Sequence, residues 1–419
     1  MTENTQDALK VREKRFLDAI AHKEPDRVPI LDPVTNTFAY KYCGYTMADV
    51  IYDVEKAKES IRRYCHDFDV DSGHFFGFAE EGQGLMLEKA QSKTFYWAGM
   101  PGDFIDKDSM QQFREFPLLH DDEFDLFMRD LTGAFLTRIL PRQNGLLDPL
   151  AKFDLGSMMF PAPGIDFLAI ACAQPEFKEM FQGLVELGEM RMDYMKQTAE
   201  FSAELETLGY PIMEPGLALV SFDGYSDFIR GTNGACLDLL DRPEAIKRYI
   251  DLQSDYMINI IKATAVPNRI VFMPLHKGMD GFMSDEQYAE FYWPHLRRIV
   301  DTTLEVGMTP YIYSEGNYTT RVKYFKDLPK GKCIAHFENV DPAFAKKEVG
   351  DIVCLTGNFS SNTLAHSTKK QVIEELKRNM DICMPGGGYI FDLDGGLYND
   401  APLENVEAMY ETVREYGKY

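Results

Sequence analysis

The sequence predicts an α/β protein built on a parallel barrel, and a rhythm in its carboxyl-terminal part carries that prediction. Short apolar strands run into polar tips. Arg269 to Leu275 ends at His276, Thr309 to Ser314 at Glu315, Lys332 to Phe337 at Glu338, and Ile352 to Gly357 at Asn358. A helix-like stretch follows each of the four. A further strand, Gly388 to Phe391, ends at Asp392 and Asp394. In such a barrel the carboxyl ends of separate strands converge on one mouth. One histidine and several carboxylates meeting there would make a site for a metal or for proton transfer.

The elements follow in order. Residues 9 to 23 read as an amphipathic helix with Phe16, Ala19 and Ile20 on one face. Glu24-Pro25-Asp26-Arg27 stops it, and Val28 to Leu31 is a short strand. Thr46, with Asp49 three residues on, opens another helix. Asp67 to Phe76 reads as a strand. Residues 90 to 165 are irregular, aromatic and rich in Pro and Gly, and are read as an insertion beside or over the mouth. Gln174 to Gly209 reads as one long helix or a kinked pair, and Ile212 to Val220 as a strand. Asp241 is the expected cap of the helix that follows it. Ser284 with Gln287 forms a capping box, and Asp341-Pro342 places a cap before a first-turn proline. The last helix begins near Pro402. No low-complexity linker divides the chain, so residues 1 to 419 read as one domain, with residues 1 to 25 as a helical extension.

Composition narrows the function. Apolar residues make up 45% and charged residues 26%, as in a soluble globular protein. The net charge, 44 − 67 = −23, disfavours nucleic acid and anionic membranes as partners. No apolar run reaches the roughly 18 residues of a membrane span, and MTENTQDALK lacks the apolar core of a signal peptide. The seven cysteines are scattered and never form a CxxC pair, which suits reduced thiols in a cytoplasm.

Three segments resemble the uroporphyrinogen decarboxylase superfamily. They are Arg15-Phe-Leu-Asp-Ala-Ile-Ala-His-Lys-Glu-Pro-Asp-Arg-Val-Pro29; Phe228-Ile-Arg-Gly231 with Asp238 and Arg242-Pro-Glu244; and Gly387-Gly-Tyr-Ile-Phe-Asp-Leu followed by Ala401-Pro-Leu-Glu-Asn405. The resemblance implies a (β/α)8 TIM barrel and a homodimer. It also implies one of two chemistries. Decarboxylases of the family carry an arginine-rich segment where this chain has Pro29-Ile-Leu-Asp-Pro-Val-Thr-Asn36, and a histidine where Gly395 stands. The other branch moves methyl groups to or from a corrinoid protein. Its zinc ligands are a histidine and two cysteines, where this chain has Tyr313, Glu315 and Gly395. A metal bound here would take oxygen and imidazole ligands, which favours an ether, alcohol or amine over a thiol.

Each candidate residue has a plain structural alternative. Glu315 is read as a metal ligand or acid, against a helix cap or a partner of Arg321. His276 is read as a neutral imidazole metal ligand or an acid/base group, against a histidine bonded to backbone in the strand-to-loop turn. Glu338 is read as a third metal ligand, a group orienting another ligand, or a catalytic carboxylate; Asp280 as a catalytic carboxylate; and Asp392 with Asp394 as a catalytic pair, against a charged turn. Tyr313, Lys277 and Asn317 are read as substrate-binding. His336 is read as a core histidine. Gly386-Gly-Gly388 precedes a strand, so it is a tight turn and no phosphate loop.

The leading expectation is a cytoplasmic methyltransferase. It would accept a small methylated substrate, such as an aryl methyl ether, use zinc on Glu315 and His276, and pass the methyl group to a corrinoid on a partner protein. A uroporphyrinogen decarboxylase-like decarboxylase or lyase is the second reading. A non-catalytic corrinoid or ligand-binding barrel is the third.

Overall fold

Strands made of Val, Ile, Tyr and Phe with no charged residue have no solvent face to offer, so they suit the middle of a parallel sheet covered on both sides. The computed structural model, which describes residues 3–73, 81–153, 164–357 and 359–419, has this arrangement. A two-stranded antiparallel ladder, β1 (Phe95–Tyr96) with β2 (Gln112–Phe113), lies in the insertion. The main sheet runs β3 (Gly216–Leu217), β4 (Ile270–Leu275), β5 (Thr309–Ser314), β6 (Ile334–Phe337) and β7 (Cys354–Thr356), all neighbours parallel. All six residues of β4 and all four of β6 are buried.

Hydrogen bonds carry this sheet round into a closed barrel. Leu355 bridges Tyr389 in parallel, and Phe391 bridges Ile30 in parallel. The Asp71 amide donates to the Ile30 carbonyl at 3.2 Å, and the Gly73 amide to that of Pro211 at 2.8 Å. The Ile270 amide then donates to Met213 at 2.7 Å, which returns the ring to β4. Segments 28–31, 70–73, 211–217 and 388–391 with β4 to β7 thus give eight staves, the (β/α)8 architecture.

Helices cover the outside, among them Pro243–Thr264, Trp293–Glu305, Lys369–Cys383 and Leu403–Tyr416. The amino-terminal helix, Glu3–Ile20, packs Phe16, Ala19 and Ile20 against Ile270, Ile334, Cys354 and Ile390. The apolar face read from the sequence therefore lines up with the amino-terminal residues of the strands, at the end opposite the mouth. Two arginines of the first family-like segment have a structural task here. Buried Asp71 accepts hydrogen bonds from Arg15, from Arg27 at 2.6 and 2.8 Å, and from the Ile30 amide at 2.8 Å. A fully buried carboxylate is tolerated because it is paired on every side.

Capping boxes form at Thr46 with Asp49 and at Ser284 with Gln287, and Asp341 caps through the Phe344 amide. Gln174 to Gly209 holds a single helix, Pro175–Thr207. Three expectations are corrected. The strand expected over Ile212 to Val220 has a regular ladder only at Gly216–Leu217 and otherwise joins the sheet through single hydrogen bonds at Met213 and Ala218, and helix Ser221–Tyr225 starts where the expected strand ends. Asp241 does not cap the next helix: it is the last residue of helix Gly231–Asp241, and Arg242 occupies the cap position. The strand expected over 67 to 76 is also corrected at its start, because Asp67 and Phe68 end helix Val54–Phe68; its residues 74 to 76 and the tip Asn358 lie outside the described residues.

Candidate active site at the barrel mouth

Parallel register decides which side chains meet. Leu275 is level with Ser314, and Ser314 with Phe337. The residues one step beyond are His276, Glu315 and Glu338, so a shared register puts all three in one row at the mouth. The Glu315 amide donates to Leu275 O at 3.2 Å and the Glu338 amide to Ser314 O at 3.3 Å, which extends the ladder to that row.

The His276 ring bridges two carboxylates. Its Nδ1 lies 2.5 Å from Asp227 Oδ2 and its Nε2 3.4 Å from Glu315 Oε1. Burial opposes charge on the ring, but the hydrogen bonds to Asp227 and Glu315 and the nearby Asp223 outweigh it and push its pKa up to about 11. His276 is therefore an imidazolium at neutral pH. Lys277 Nζ sits 3.1 Å from the other oxygen of Asp227.

Asp223 and Asp227 come from one helical stretch, Ser221–Tyr225 continued by a π-helical turn, Ser226–Arg230. Their spacing of four sets them on one face, and a π-turn is a common device at functional sites. Asp223 is fully buried and accepts the backbone amides of His276 at 3.0 Å and Lys277 at 2.8 Å, with the Tyr292 hydroxyl at 2.6 Å. Burial lifts its pKa to about 6. Asp223 thus clamps the end of β4, and Asp227 aims the ring. Glu338 accepts the Gly316 amide, and burial raises its pKa, with the Asp394 and Glu315 charges adding to the rise.

The cavity has two lobes, of about 630 and 410 Å³. Phe228, His276, Glu315 and Glu338 belong to both. The larger lobe adds Phe95, Phe113, Glu115 and Lys277, and the smaller adds Leu217, Phe272, Tyr313, Asp394 and Tyr398. An aromatic cavity with a few convergent polar groups at the strand ends is where a small-molecule site is expected in this architecture.

Six of the residues singled out from the sequence meet at this cavity: His276, Lys277, Tyr313, Glu315, Glu338 and Asp394. Three are placed elsewhere. Asp280 accepts the Thr320 amide at 3.0 Å and hydroxyl at 2.7 Å, so it secures a turn. Asn317 Oδ1 accepts from Thr319 in the same way. Asp392 is 1% exposed and bonds inside the barrel, below the mouth. Arg321 binds Gly278 O, Met283 O and Asp285, which leaves Glu315 facing the cavity. Sequence reasoning missed Asp223, Asp227, Phe228, Glu115 and Phe113. The first two carried a legible signal, two carboxylates four apart just before Phe228-Ile-Arg-Gly231. Glu115 and Phe113 sit in the irregular insertion and gave none.

A zinc site asks for three protein ligands. The 3.4 Å between His276 Nε2 and Glu315 Oε1 suits two corners of a tetrahedron with bonds of about 2.1 Å. Among the described residues no third Cys, His, Asp or Glu atom joins them within 4.8 Å. The group of three that does meet is His120, Asp122 and Glu123, which is on the surface, with Glu123 bound to Arg142 at 2.6 Å. The mouth as arranged therefore does not fit a resident zinc.

The uroporphyrinogen decarboxylase (URO-D) family model matches residues 222–416. Over that span the chain is similar to uroporphyrinogen decarboxylases. Within that matched span, Arg230 of the Phe228-Ile-Arg-Gly231 segment is buried and pairs with Asp238 at 2.6 Å, which makes it a structural arginine. Curated relatives include the uroporphyrinogen decarboxylase of Rickettsia canadensis (strain McKiel), 28% identical over 42% of this chain and 50% of that protein. That of Dechloromonas aromatica (strain RCB) is 26% identical over 48% and 56%. The chain spans about half the length of the curated relatives it matches. Among solved structures, a methyltransferase from Methanosarcina mazei superposes with a TM-score of 0.60 over 97% of this chain and 98% of that one, at 13% identity. At that identity the likeness is one of fold.

Proposed function

We propose that the mouth is the active site of a methyltransferase that takes a methyl group from a small methylated aromatic, an aryl methyl ether, and hands it to a reduced corrinoid on a partner protein. The observation that carries the reading is His276, a charged imidazole whose Nε2 faces an aromatic cavity. An aryl ether gives up its methyl group only if the oxygen left behind is stabilised. Phenols such as the tyrosine side chain ionise near pH 10. A charged imidazole held by Asp227 can give its Nε2 proton to that oxygen as it forms.

Phe228, Phe272 and Tyr313 would bracket the aromatic ring, and the ether oxygen would lie at His276 Nε2, displacing the Glu315 contact. The methyl carbon leaves with its bond to oxygen broken and the electron pair kept by oxygen. The His276 proton then neutralises the aryloxide. Asp227 holds the ring in the donating orientation, and Glu315 and Lys277 set the local charge. Support for methyl transfer comes from the fold shared with a methyltransferase and from Gly395 standing in place of the decarboxylases' closing histidine. The absence of the arginine-rich segment at Pro29 to Asn36 points the same way.

The test is turnover. Purified protein is mixed with cob(I)alamin and a panel of methoxylated aromatics, and methylcobalamin formation is followed by its absorbance. Demethylation of a methoxyarene, lost in His276→Gln, is expected. No methylcobalamin from any of them, with carbon dioxide released from a carboxylated substrate, would move the site to the decarboxylase reading.

A further inference from the structure

Below the mouth, a file of fully buried polar groups crosses the barrel interior. Asp392 Oδ1 accepts the Leu393 amide at 2.8 Å, and its Oδ2 lies 2.7 Å from the Tyr311 hydroxyl. The same hydroxyl lies 3.1 Å from His336 Nδ1. His336 Nε2 lies 3.1 Å from the carbonyl oxygen of Asp394. Asp392, Tyr311 and His336 are each 1% exposed or less.

Counting donors gives this file a direction. A carbonyl oxygen only accepts, so His336 Nε2 carries a hydrogen. A neutral imidazole has one N–H, and burial keeps this ring neutral by pulling its pKa down to about 3. Nδ1 must then accept, and Tyr311 must donate to it. The single hydroxyl hydrogen of Tyr311 is thereby used. Its 2.7 Å contact with Asp392 is left needing a hydrogen from the acid.

We infer that Asp392 is a neutral carboxylic acid heading a one-way chain, Asp392 to Tyr311 to His336 to the Asp394 carbonyl, and that it acts as a positioning residue for the loop on which Asp394 and Gly395 edge the mouth. The surroundings agree. Burial, with the charges of Asp32 and Asp394, pushes the Asp392 carboxyl up to about 8. Glu214 from the 211–217 segment, Tyr313 from β5, Tyr389 from its own segment and Tyr410 from helix Leu403–Tyr416 also lie within reach of its charge. At the mouth end, Tyr313 stacks on His336 with ring centroids 3.7 Å apart, and its hydroxyl reaches the Gly395 carbonyl at 3.3 Å. Gly357, at φ +81°, leaves room for the ring: a Cβ there would come within 2.4 Å of His336. The chain stands on the barrel interior alone and does not depend on methyl transfer.

The test is the protonation of His336 in the full-length protein labelled with 15N-histidine, with His336→Gln used only to assign its signals. The wild type is expected to show the Nε2–H tautomer throughout, with Nδ1 hydrogen-bonded at pH 6.5 and its signal shifting as the pH passes about 8, where the ionised acid takes the Tyr311 hydroxyl from it. Asp392→Asn keeps a donor and cannot ionise, so it should hold the Nδ1 signal unshifted to pH 9.5. Tyr311→Phe should shift the Nδ1 signal at every pH, because the donor to that nitrogen is gone. An Nδ1–H tautomer in the wild type would overturn the inference. So would a pH response in Asp392→Asn that matches the wild type.

Discussion

His276 and Asp227 are joined at 2.5 Å, Nδ1 to Oδ2, and that contact leaves Nε2 as the one ring nitrogen turned to the cavity. A histidine with a raised folded pKa contributes stability in full below its unfolded value near 6.5, and that contribution fades as the pH rises toward about 11. The ring should therefore show no titration between pH 5.5 and 8.5. Asp227→Asn removes one charged partner, worth about 1.5 to 3 kcal/mol, and so should lower the His276 pKa by roughly 1 to 2 units. Histidine Cε1–H chemical shifts against pH check both statements.

Turnover should depend on the donor itself. His276→Gln keeps the volume and removes the proton, and a fall of about 10²- to 10⁴-fold is expected from the loss of general acid catalysis. Glu315→Gln removes the charge facing Nε2 and should cost less, roughly 10-fold, on the same principle. Equal rates in all three proteins would end the role assigned to His276.

Metal removal distinguishes proton donation from Lewis-acid assistance. With only two donors meeting at the mouth among the described residues, dialysis against a chelator should leave the rate unchanged. Metal analysis of the active protein should find less than one zinc per chain. Loss of activity on chelation with recovery on added zinc would show that the mouth gathers a third ligand.

Asp223 is predicted to be the residue whose loss harms the fold most near the site. Asp223→Ala leaves two backbone amides and the Tyr292 hydroxyl without their buried acceptor. Each such group costs about 1 to 3 kcal/mol. Urea denaturation should show a loss of about 3 to 5 kcal/mol, a size reserved for broken buried networks. A change under 1 kcal/mol would mean that β4 holds its end without the clamp.

Asp392 should make the protein less stable as the pH rises. Its folded pKa, about 8, is above its unfolded value near 3.9. In that window the native state keeps a proton the unfolded chain has released, so stability declines from pH 4 to pH 8 and levels off above. Asp392→Asn removes that dependence. Its unfolding free energy should approach the wild type near pH 4 and exceed it increasingly toward pH 8, by at most about 1.4 kcal/mol per pH unit. A constant difference across the range would show that Asp392 is ionised throughout.

The sequence by itself determined the barrel's carboxyl-terminal half and one row of the site. Strand and tip can be read locally: an apolar run ends, a polar residue follows, and period two and parallel register do the rest for His276, Glu315 and Glu338. Caps at Ser284 and Asp341 were legible for the same reason, since a cap acts over three residues. Tertiary structure decided what those residues are. Asp227, from a helix 49 residues earlier, turns His276 into an imidazolium. Depth separates Asp392 in the interior from Asp394 at the cavity, although they are two residues apart. Asp280 and Asn317, polar and near a strand tip, are taken up by neighbouring threonines. Charge state and orientation are set by which groups lie within a few ångströms across the fold, and spacing along the chain does not record that distance.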